Sequence, residues 1–221
     1  MITTRLLLEF CKFATAVRVE DLSPGDVLLT SSQVGPGPRG ILSKALNYGQ
    51  RRTQGHFGHA MMYLGNGEML DHRIEHGTRI KPAAEAIGDL DHVVIRPRAS
   101  AASKQRAVAF AKQHVGDAYN KKTMVASGAS LLLPKKLRDM VHKPVDPGAH
   151  NWICSSIVNA AYDGKLAPER GALAAPIDIL HSPRSRVIHS HSAGVPDIPT
   201  LGAYRGRKLP QVLSVVAKHL K

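Results

Sequence analysis

Several features that would define a protein class are scarce or missing in this sequence. Only two of the 221 residues are cysteines, Cys11 and Cys154, too few for a disulfide scaffold, so each is considered as a free thiol. No run approaches the ~20 apolar residues that a membrane-spanning helix needs. One tryptophan, four phenylalanines and five tyrosines are present, without a stacking or helix–turn–helix motif, so the sequence predicts no specific nucleic-acid interface.

Acidic residues are also scarce. Aspartate and glutamate number 17 against 30 lysines and arginines, which gives a net charge of +13. A charge of that size favours contact with an anionic partner without identifying it. With 43% hydrophobic residues, the chain can bury a real core. We expect one domain over 1–221, with residues 1–20 as a helical extension at the amino terminus.

The amino terminus only partly resembles a secretory signal. Arg5 precedes three leucines, but Glu9 and Lys12 interrupt the apolar stretch, which such signals do not normally tolerate. We therefore expect a cytoplasmic protein or one delivered by a non-classical route. The apolar spacing instead predicts a helix over 4–17, with Cys11 as a small buried side chain beside its apolar face.

Hydrophobic patterning and turn residues predict an α+β domain. The clearest unit is a hairpin in which strands 59–64 and 68–72 flank the turn Gly65-Asn66-Gly67. Further strands are predicted at 27–29, 93–95 and 186–188, and helices at 41–48, 100–115, 123–142, 152–162 and 211–220.

Cys154 is the first candidate for chemistry. It lies where the helix predicted over 152–162 opens, and unpaired N–H groups at a helix start favour a thiolate. A nucleophilic thiol also needs a base, usually histidine, and twelve histidines make such a pairing easy to find. Taken alone, the position of Cys154 favours a structural role over a catalytic one.

His59 and Asp71 form a second candidate pair. His59 begins an apolar strand, and Asp71 returns on the next strand, so their side chains can share a face and the carboxylate can fix the imidazole tautomer. The alternative is a buried histidine whose hydrogen bonds are made by the backbone.

Six short motifs follow one another along residues 22–190. They are Gly25–Leu29, Ser43–Ala45, Gly58–Met61 with Leu70–Asp71, Gly116–Asn120, Trp152–Ser155 and Ala175–Pro183. In this order they resemble the permuted papain-like hydrolases of the YiiX-like and NlpC-related group. The resemblance implies a circularly permuted papain-like fold, in which an antiparallel sheet packs on helices and the histidine precedes the cysteine in the chain.

The same resemblance implies roles for individual residues. Cys154 would be the nucleophile, His59 the base and Asp71 the orienting group, with His72 as its substitute if the register differs by one. Tyr119 would lie near the oxyanion site, although it also fits a core tyrosine. His72 is likewise expected at the oxyanion or substrate-binding region. This chemistry requires no metal or organic cofactor.

The resulting expectation is a cysteine hydrolase acting on an amide, ester or thioester through an acyl-enzyme. The substrate would be a peptide, a peptidoglycan fragment or a lipid. Two alternatives remain: a membrane-lipid acyltransferase or phospholipase, as in the lecithin:retinol acyltransferase branch, and a non-catalytic basic binding module.

A zinc peptidase is a weaker alternative. Residues 72–76 match H-x-x-E-H through His72, Glu75 and His76. That chemistry needs both histidines on one helical face, and the glycines at 67 and 77 leave little room for such a helix.

Basic residues concentrate between Arg96 and Lys143. This basic segment holds eleven lysines and arginines against two aspartates. Its apolar centre is flanked by basic pairs, which indicates an element that binds an anionic surface, although a solvated basic face fits equally well. The basic pairs are Lys121 with Lys122 and Lys135 with Lys136.

Overall fold

The computed structural model describes residues 17–31, 57–88, 92–124, 126, 145–146 and 148–191. The chain divides into two units, Met1–His191 and Ser192–Lys221, and all described residues belong to the first. Several predicted features lie outside the described residues: Cys11, the helices at 41–48 and 211–220, almost all of the helices at 4–17 and 123–142, and the Ser43–Ala45 motif.

Six strands form one antiparallel sheet in the order β4-β3-β2-β1-β5-β8. They are β1 (Val27–Ser31), β2 (Phe57–Gly65), β3 (Glu68–Arg73), β4 (Gly77–Pro82), β5 (His92–Pro97) and β8 (Ser185–His191). Two short strands, β6 (Ala118–Tyr119) and β7 (Asn151–Trp152), pair in parallel apart from this sheet.

Four α-helices and one short 3-10 helix lie wholly within the described residues, and residues 121–124 are also helical. The five complete helices are α1 (Ala83–Ile87), α2 (Ala101–Gln113), α3 (Cys154–Ala161), α4 (Pro176–Leu180) and the 3-10 helix Val19–Asp21. The α+β class with an antiparallel sheet is therefore confirmed.

The β2–β3 hairpin forms where the sequence predicts it. Asn66 and Gly67 connect the strands with φ angles of 53° and 74°, the left-handed conformation that two-residue hairpin turns need and that asparagine and glycine adopt most easily. The turn fixes the pairing of Met62 with Leu70 and Tyr63 with Met69.

The central strands of the sheet are buried on both faces, because helices and the segment from Val17 to Leu22 cover them. Leu28, Met61 and Met69 belong to a core cluster that includes all three buried residues of α1. The alternate residues of the same strands are also buried, and α3 packs on β2. Because successive side chains of a strand alternate between faces, both layers contribute to the core.

The central helix α3 is fixed at both ends. At its start, Ser156 Oγ accepts a hydrogen bond from the Ile153 N–H at 2.9 Å. Beyond its end, the Tyr162 hydroxyl donates to the Gly25 carbonyl at 2.6 Å. The first residue of α3, Cys154, is thereby held at a defined position beside the sheet.

None of the helices in the described part of the chain is long and apolar enough to cross a membrane.

Candidate active site

Cys154 is the first residue of α3, where the sequence predicts a helix to open. Its thiol is buried, with the residue 5% exposed. Hydrogen bonds reach the sulfur from His59 and from the backbone N–H groups of Ala60 and Ser155. The sulfur therefore faces donors from both the helix start and strand β2.

His59 and Asp71 form the pair that the sequence predicts. His59 Nε2 lies 2.6 Å from Asp71 Oδ1 across the β2–β3 hairpin, and the Asp71 side chain is completely buried. Because Nε2 faces the carboxylate, Nδ1 is the ring nitrogen available to Cys154. One imidazole thus connects the carboxylate with the thiol.

The electrostatics of this pair favour thiolate and imidazolium. Burial raises the pKa of Cys154, but the charge and hydrogen bond of His59 and the backbone donors outweigh burial and lower it below its usual value. Burial lowers the pKa of His59, but the Cys154 charge and the Asp71 hydrogen bond raise it above its usual value. Opposite shifts of this kind bring a thiol toward the reactive form near neutral pH.

Four basic side chains surround the Asp71 carboxylate in addition to His59. Their nitrogens lie 3.1 to 3.8 Å from its oxygens. They belong to Arg73, His76, Arg79 and Lys81. Burial raises the pKa of Asp71, but the His59 hydrogen bond and the charges of His59, Arg73 and Lys81 hold it well below the usual range. The carboxylate is therefore ionised and can hold the imidazolium.

Strand pairing explains this basic cluster, which sequence reasoning missed. Arg79 lies directly opposite Asp71 in the register of β3 and β4, and Lys81 lies two residues along on the same face. The alternation of Arg79 and Lys81 was visible in the sequence, but only the pairing of β4 with β3 identifies Asp71 as their partner.

Tyr119 is also brought to the thiol. Its hydroxyl is hydrogen-bonded to both the side chain and the backbone N–H of Cys154. Burial raises the pKa of Tyr119, and the nearby Cys154 charge raises it further, so the hydroxyl keeps its proton. A protonated hydroxyl beside the Cys154 N–H can donate to negative charge that develops on a substrate oxygen.

His72 does not substitute for Asp71. Successive strand side chains point to opposite faces, so the one-residue shift turns His72 away from His59. Its Nε2 donates to the Trp152 carbonyl at 2.8 Å and its Nδ1 accepts from Thr78 Oγ1 at 2.7 Å.

The His72 ring stacks on Tyr119 with the centroids 4.8 Å apart. Burial lowers the pKa of His72, although the Trp152 carbonyl opposes the shift. Both ring nitrogens are thus occupied, which corrects the expectation that His72 could orient His59 or bind substrate directly.

The H-x-x-E-H motif does not form a zinc-peptidase site. His72 belongs to strand β3, and residues 74–76 form a turn rather than a helix. His76 Nδ1 lies 2.8 Å from the Gly77 carbonyl oxygen. The two histidines therefore do not share the helical face that this chemistry needs.

The basic segment is described only in part. Lys121 and Lys122 are exposed in a helical turn just after Tyr119, whereas Lys135 and Lys136 lie outside the described residues. Arg96 is not free for a partner, because its guanidinium donates to both carboxylate oxygens of Asp26, at 2.8 and 2.6 Å.

Comparison with solved structures finds distant likeness at low sequence identity. No protein-family model matches the chain, and no curated protein matches it. The chain is similar to the crystal structure of the metalloprotein YiiX from Escherichia coli O157:H7, with a TM-score of 0.48 and 16% sequence identity, over 77% of this chain and 98% of that one. The description as a metalloprotein belongs to YiiX, and nothing about the present site follows from it.

Proposed function

We propose that the protein is a cysteine-dependent hydrolase in which Cys154, His59 and Asp71 act as nucleophile, base and orienting group. One observation carries this proposal: a single buried imidazole is hydrogen-bonded on one side to an ionised carboxylate and on the other to a thiol at a helix start. This arrangement is the one that nucleophilic catalysis by cysteine requires.

The reaction would begin when His59 takes the thiol proton of Cys154. The thiolate then attacks the carbonyl carbon of an amide, ester or thioester, and the carbonyl oxygen becomes an oxyanion. On substrate binding, the Cys154 N–H and the Tyr119 hydroxyl would exchange the hydrogen bonds that they form at the free site for donation to that oxyanion.

The tetrahedral intermediate collapses when His59 returns its proton to the leaving amine, alcohol or thiol. The substrate's acyl group remains bound to the sulfur as a thioester. A water molecule, deprotonated by His59, then attacks the thioester carbonyl, and the Cys154 thiol is regenerated with release of the acid.

The chain order of these residues supports a permuted papain-like arrangement of the YiiX-like type. His59 and Asp71 come first, on paired strands, and Cys154 follows on a helix. In an unpermuted papain-like chain, by the resemblance described above, the cysteine helix precedes the histidine strand.

Intact-mass labelling with iodoacetamide near neutral pH tests this proposal. We expect one fast adduct in the wild type and in Cys11→Ala, and none in Cys154→Ala. His59→Ala should slow the labelling of Cys154, because the pKa of the Cys154 thiol would rise once the charge and hydrogen bond of His59 are lost. Equal slow labelling of Cys11 and Cys154 would contradict the nucleophile assignment.

Acyl transfer to or from membrane lipids is the second candidate. The exposed Lys121 and Lys122 favour it, since they follow Tyr119 closely and can contact anionic headgroups. Activity that depends on liposomes would support this candidate, and activity on a soluble amide without liposomes would support the hydrolase. Absence of a thiolate near neutral pH would instead favour a non-catalytic basic binding module.

A further inference from the structure

A second group of potential ligands lies apart from the Cys154–His59–Asp71 arrangement. His114 caps the end of α2, Asp117 precedes β6, and His150 precedes β7. His114 Nδ1 lies 2.7 Å from Asp117 Oδ2, and His150 Nδ1 lies 3.0 Å from Asp117 Oδ1. The three ligand atoms all lie within 4.8 Å of one another.

We propose that His114, Asp117 and His150 bind one divalent transition-metal ion of the zinc class. Two imidazole nitrogens and one carboxylate form a donor set that suits Zn²⁺ and its neighbours in the first transition row. Three protein donors leave at least one coordination position for water. This inference is independent of the proposed hydrolase function.

The partners of Asp117 differ from those of Asp71 in a way that favours a metal ion. Asp71 is surrounded by arginine and lysine as well as histidine. In the described ranges, Asp117 forms ion pairs with the two histidines and with no lysine or arginine. A divalent cation held between the three side chains would bring positive charge to the Asp117 carboxylate, as Arg73, Arg79 and Lys81 do for Asp71.

The first two ligands are held in position before any ion binds. The His114 ring packs against Phe110, with centroids 4.2 Å apart, and lies edge-on to Trp152 at 5.7 Å. The Asp117 N–H donates to the His114 carbonyl, while the Asp117 carbonyl accepts from the Thr78 N–H at 2.9 Å. Ligands held by packing and by secondary hydrogen bonds bind metal more tightly, because little motion is lost on binding.

His150 completes the group from a more accessible position. Its side chain is 76% exposed, against 7% for His114 and 11% for Asp117. An ion can therefore enter from solvent on the side of His150.

The bound ion would join three elements that support the Cys154 region. It would connect the end of α2 with β6, which carries Tyr119, and with β7, whose Trp152 is followed after one residue by Cys154. We assign the ion a stabilising role here, with no step of the acyl transfer passing through it.

Titration of the full-length chain with Zn²⁺ by calorimetry tests this inference. The Cys154→Ser variant is used as the background, because Cys154, His59 and Asp71 are themselves a possible donor set. We expect one equivalent of Zn²⁺ to bind and to raise the melting temperature. Adding His150→Ala should weaken binding at least tenfold, and this exposed position should tolerate the change.

Two further variants make the result specific. Asp117→Asn removes the charge but keeps the shape, and it should weaken binding as His150→Ala does. His181→Ala removes another exposed histidine and should bind Zn²⁺ like the background. Absence of binding in the Cys154→Ser chain, or equal binding by His150→Ala and His181→Ala, would overturn the inference. Titration with Co²⁺ adds an optical readout, because nitrogen ligation gives visible absorption bands that the His150→Ala variant should lack.

Discussion

At the scale of single residues, Asp71 serves two groups of partners at once. It accepts a hydrogen bond from His59, and it balances the charge of Arg73, Arg79 and Lys81. The first interaction orients the proposed base, and the second keeps the carboxylate ionised. Any change at Asp71 therefore affects both the thiol chemistry and the local charge balance.

Asp71→Asn should slow thiol labelling at neutral pH. The amide oxygen can still accept from His59, but it no longer stabilises imidazolium, so the pKa of Cys154 should rise. Each unit of that rise lowers the thiolate fraction about tenfold. The rate of iodoacetamide labelling as a function of pH measures the effect.

His76→Gln is the matched control for Asp71→Asn, since His76 lies 3.6 Å from Asp71 without replacing His59. Labelling of Asp71→Asn as fast as the wild type would argue against the orienting role.

A thiol at a predicted helix start and a histidine in an apolar strand made Cys154 and His59 candidates in the sequence, and the resemblance to the permuted papain-like group gave them their roles. The choice between Asp71 and His72 was different. That choice depends on which face of β3 meets His59, and a shift of one residue in the pairing of β2 with β3 would exchange the two faces. Sequence patterning carries no reliable information at that precision.

At the scale of elements, the β2–β3 turn sets the alignment on which the His59–Asp71 contact depends. Gly67 has a φ angle of 74°, and no atom lies within 4 Å of the place where a Cβ would be added. A substitution here would thus introduce backbone strain without a steric clash.

Gly67→Ala should lower the free energy of unfolding by about 1 kcal/mol, the cost of holding an L-residue in the left-handed region. Urea denaturation measures this change. Gly148→Ala is the control, because Gly148 is outside the left-handed region and an added Cβ would make only an ordinary 3.5 Å contact with Asp146. Equal stability of Gly67→Ala and the wild type would show that the left-handed conformation at residue 67 imposes no cost on an L-residue in this turn.

Four of the elements that the sequence did not predict share a physical cause. Strand β4 is polar at Arg79 and Lys81, so its apolar pattern is weak, and its stability comes from pairing with β3. Strands β6 and β7 are two residues each, too short for any periodicity. Helix α4 begins at Pro176 within a stretch rich in proline and glycine. Tertiary contacts, rather than local propensity, determine all four.

A group of histidines at the β5–β8 pair should make stability depend on pH. The His92 ring lies 5.6 Å from that of His189 and 5.2 Å from that of His191. Burial, together with the charges of His92 and His191, lowers the pKa of His189 to about 4, although Asp21 opposes the shift. The unfolded chain, with a histidine pKa near 6.5, binds this proton first as pH falls.

This contribution to stability should therefore be complete above about pH 6.5 and lost as pH falls toward 4. Urea unfolding at pH 7 and pH 5 measures the loss. His189→Gln removes the titrating group and should reduce the difference between the two pH values. An unchanged pH dependence in His189→Gln would show that this histidine is not responsible.

At the scale of the whole molecule, the chain carries a net charge of +13, and only some residues of the basic segment form ion pairs within the described fold. Arg96 is paired with Asp26, and Lys112 lies 3.7 Å from Glu68. Lys121 and Lys122 are exposed. Fewer basic side chains of this segment are therefore free to contact an anionic surface than the sequence indicates. The prediction of surface binding rests on the two basic pairs, Lys121 with Lys122 and Lys135 with Lys136.

Changing Lys121, Lys122, Lys135 and Lys136 together to glutamine should weaken binding to anionic liposomes. Each basic side chain near an anionic bilayer contributes on the order of 1 kcal/mol, so four of them can separate bound from free protein. Binding should also fall with salt, because the Debye length shortens from about 10 Å at 0.1 M to about 3 Å at 1 M. Sedimentation with liposomes at low and high salt measures both effects.

A second fourfold variant separates this segment from the overall charge of the chain. Glutamine at Lys165, Lys208, Lys218 and Lys221 removes the same charge outside the basic segment. If the segment is the contact surface, this control should bind more tightly than the first variant at equal salt, and Cys154 should label equally fast in both. Equal loss in the two variants would mean that only total charge matters. Binding that ignores salt would mean that the attraction is not electrostatic, and either result would identify the basic segment as a solvated face.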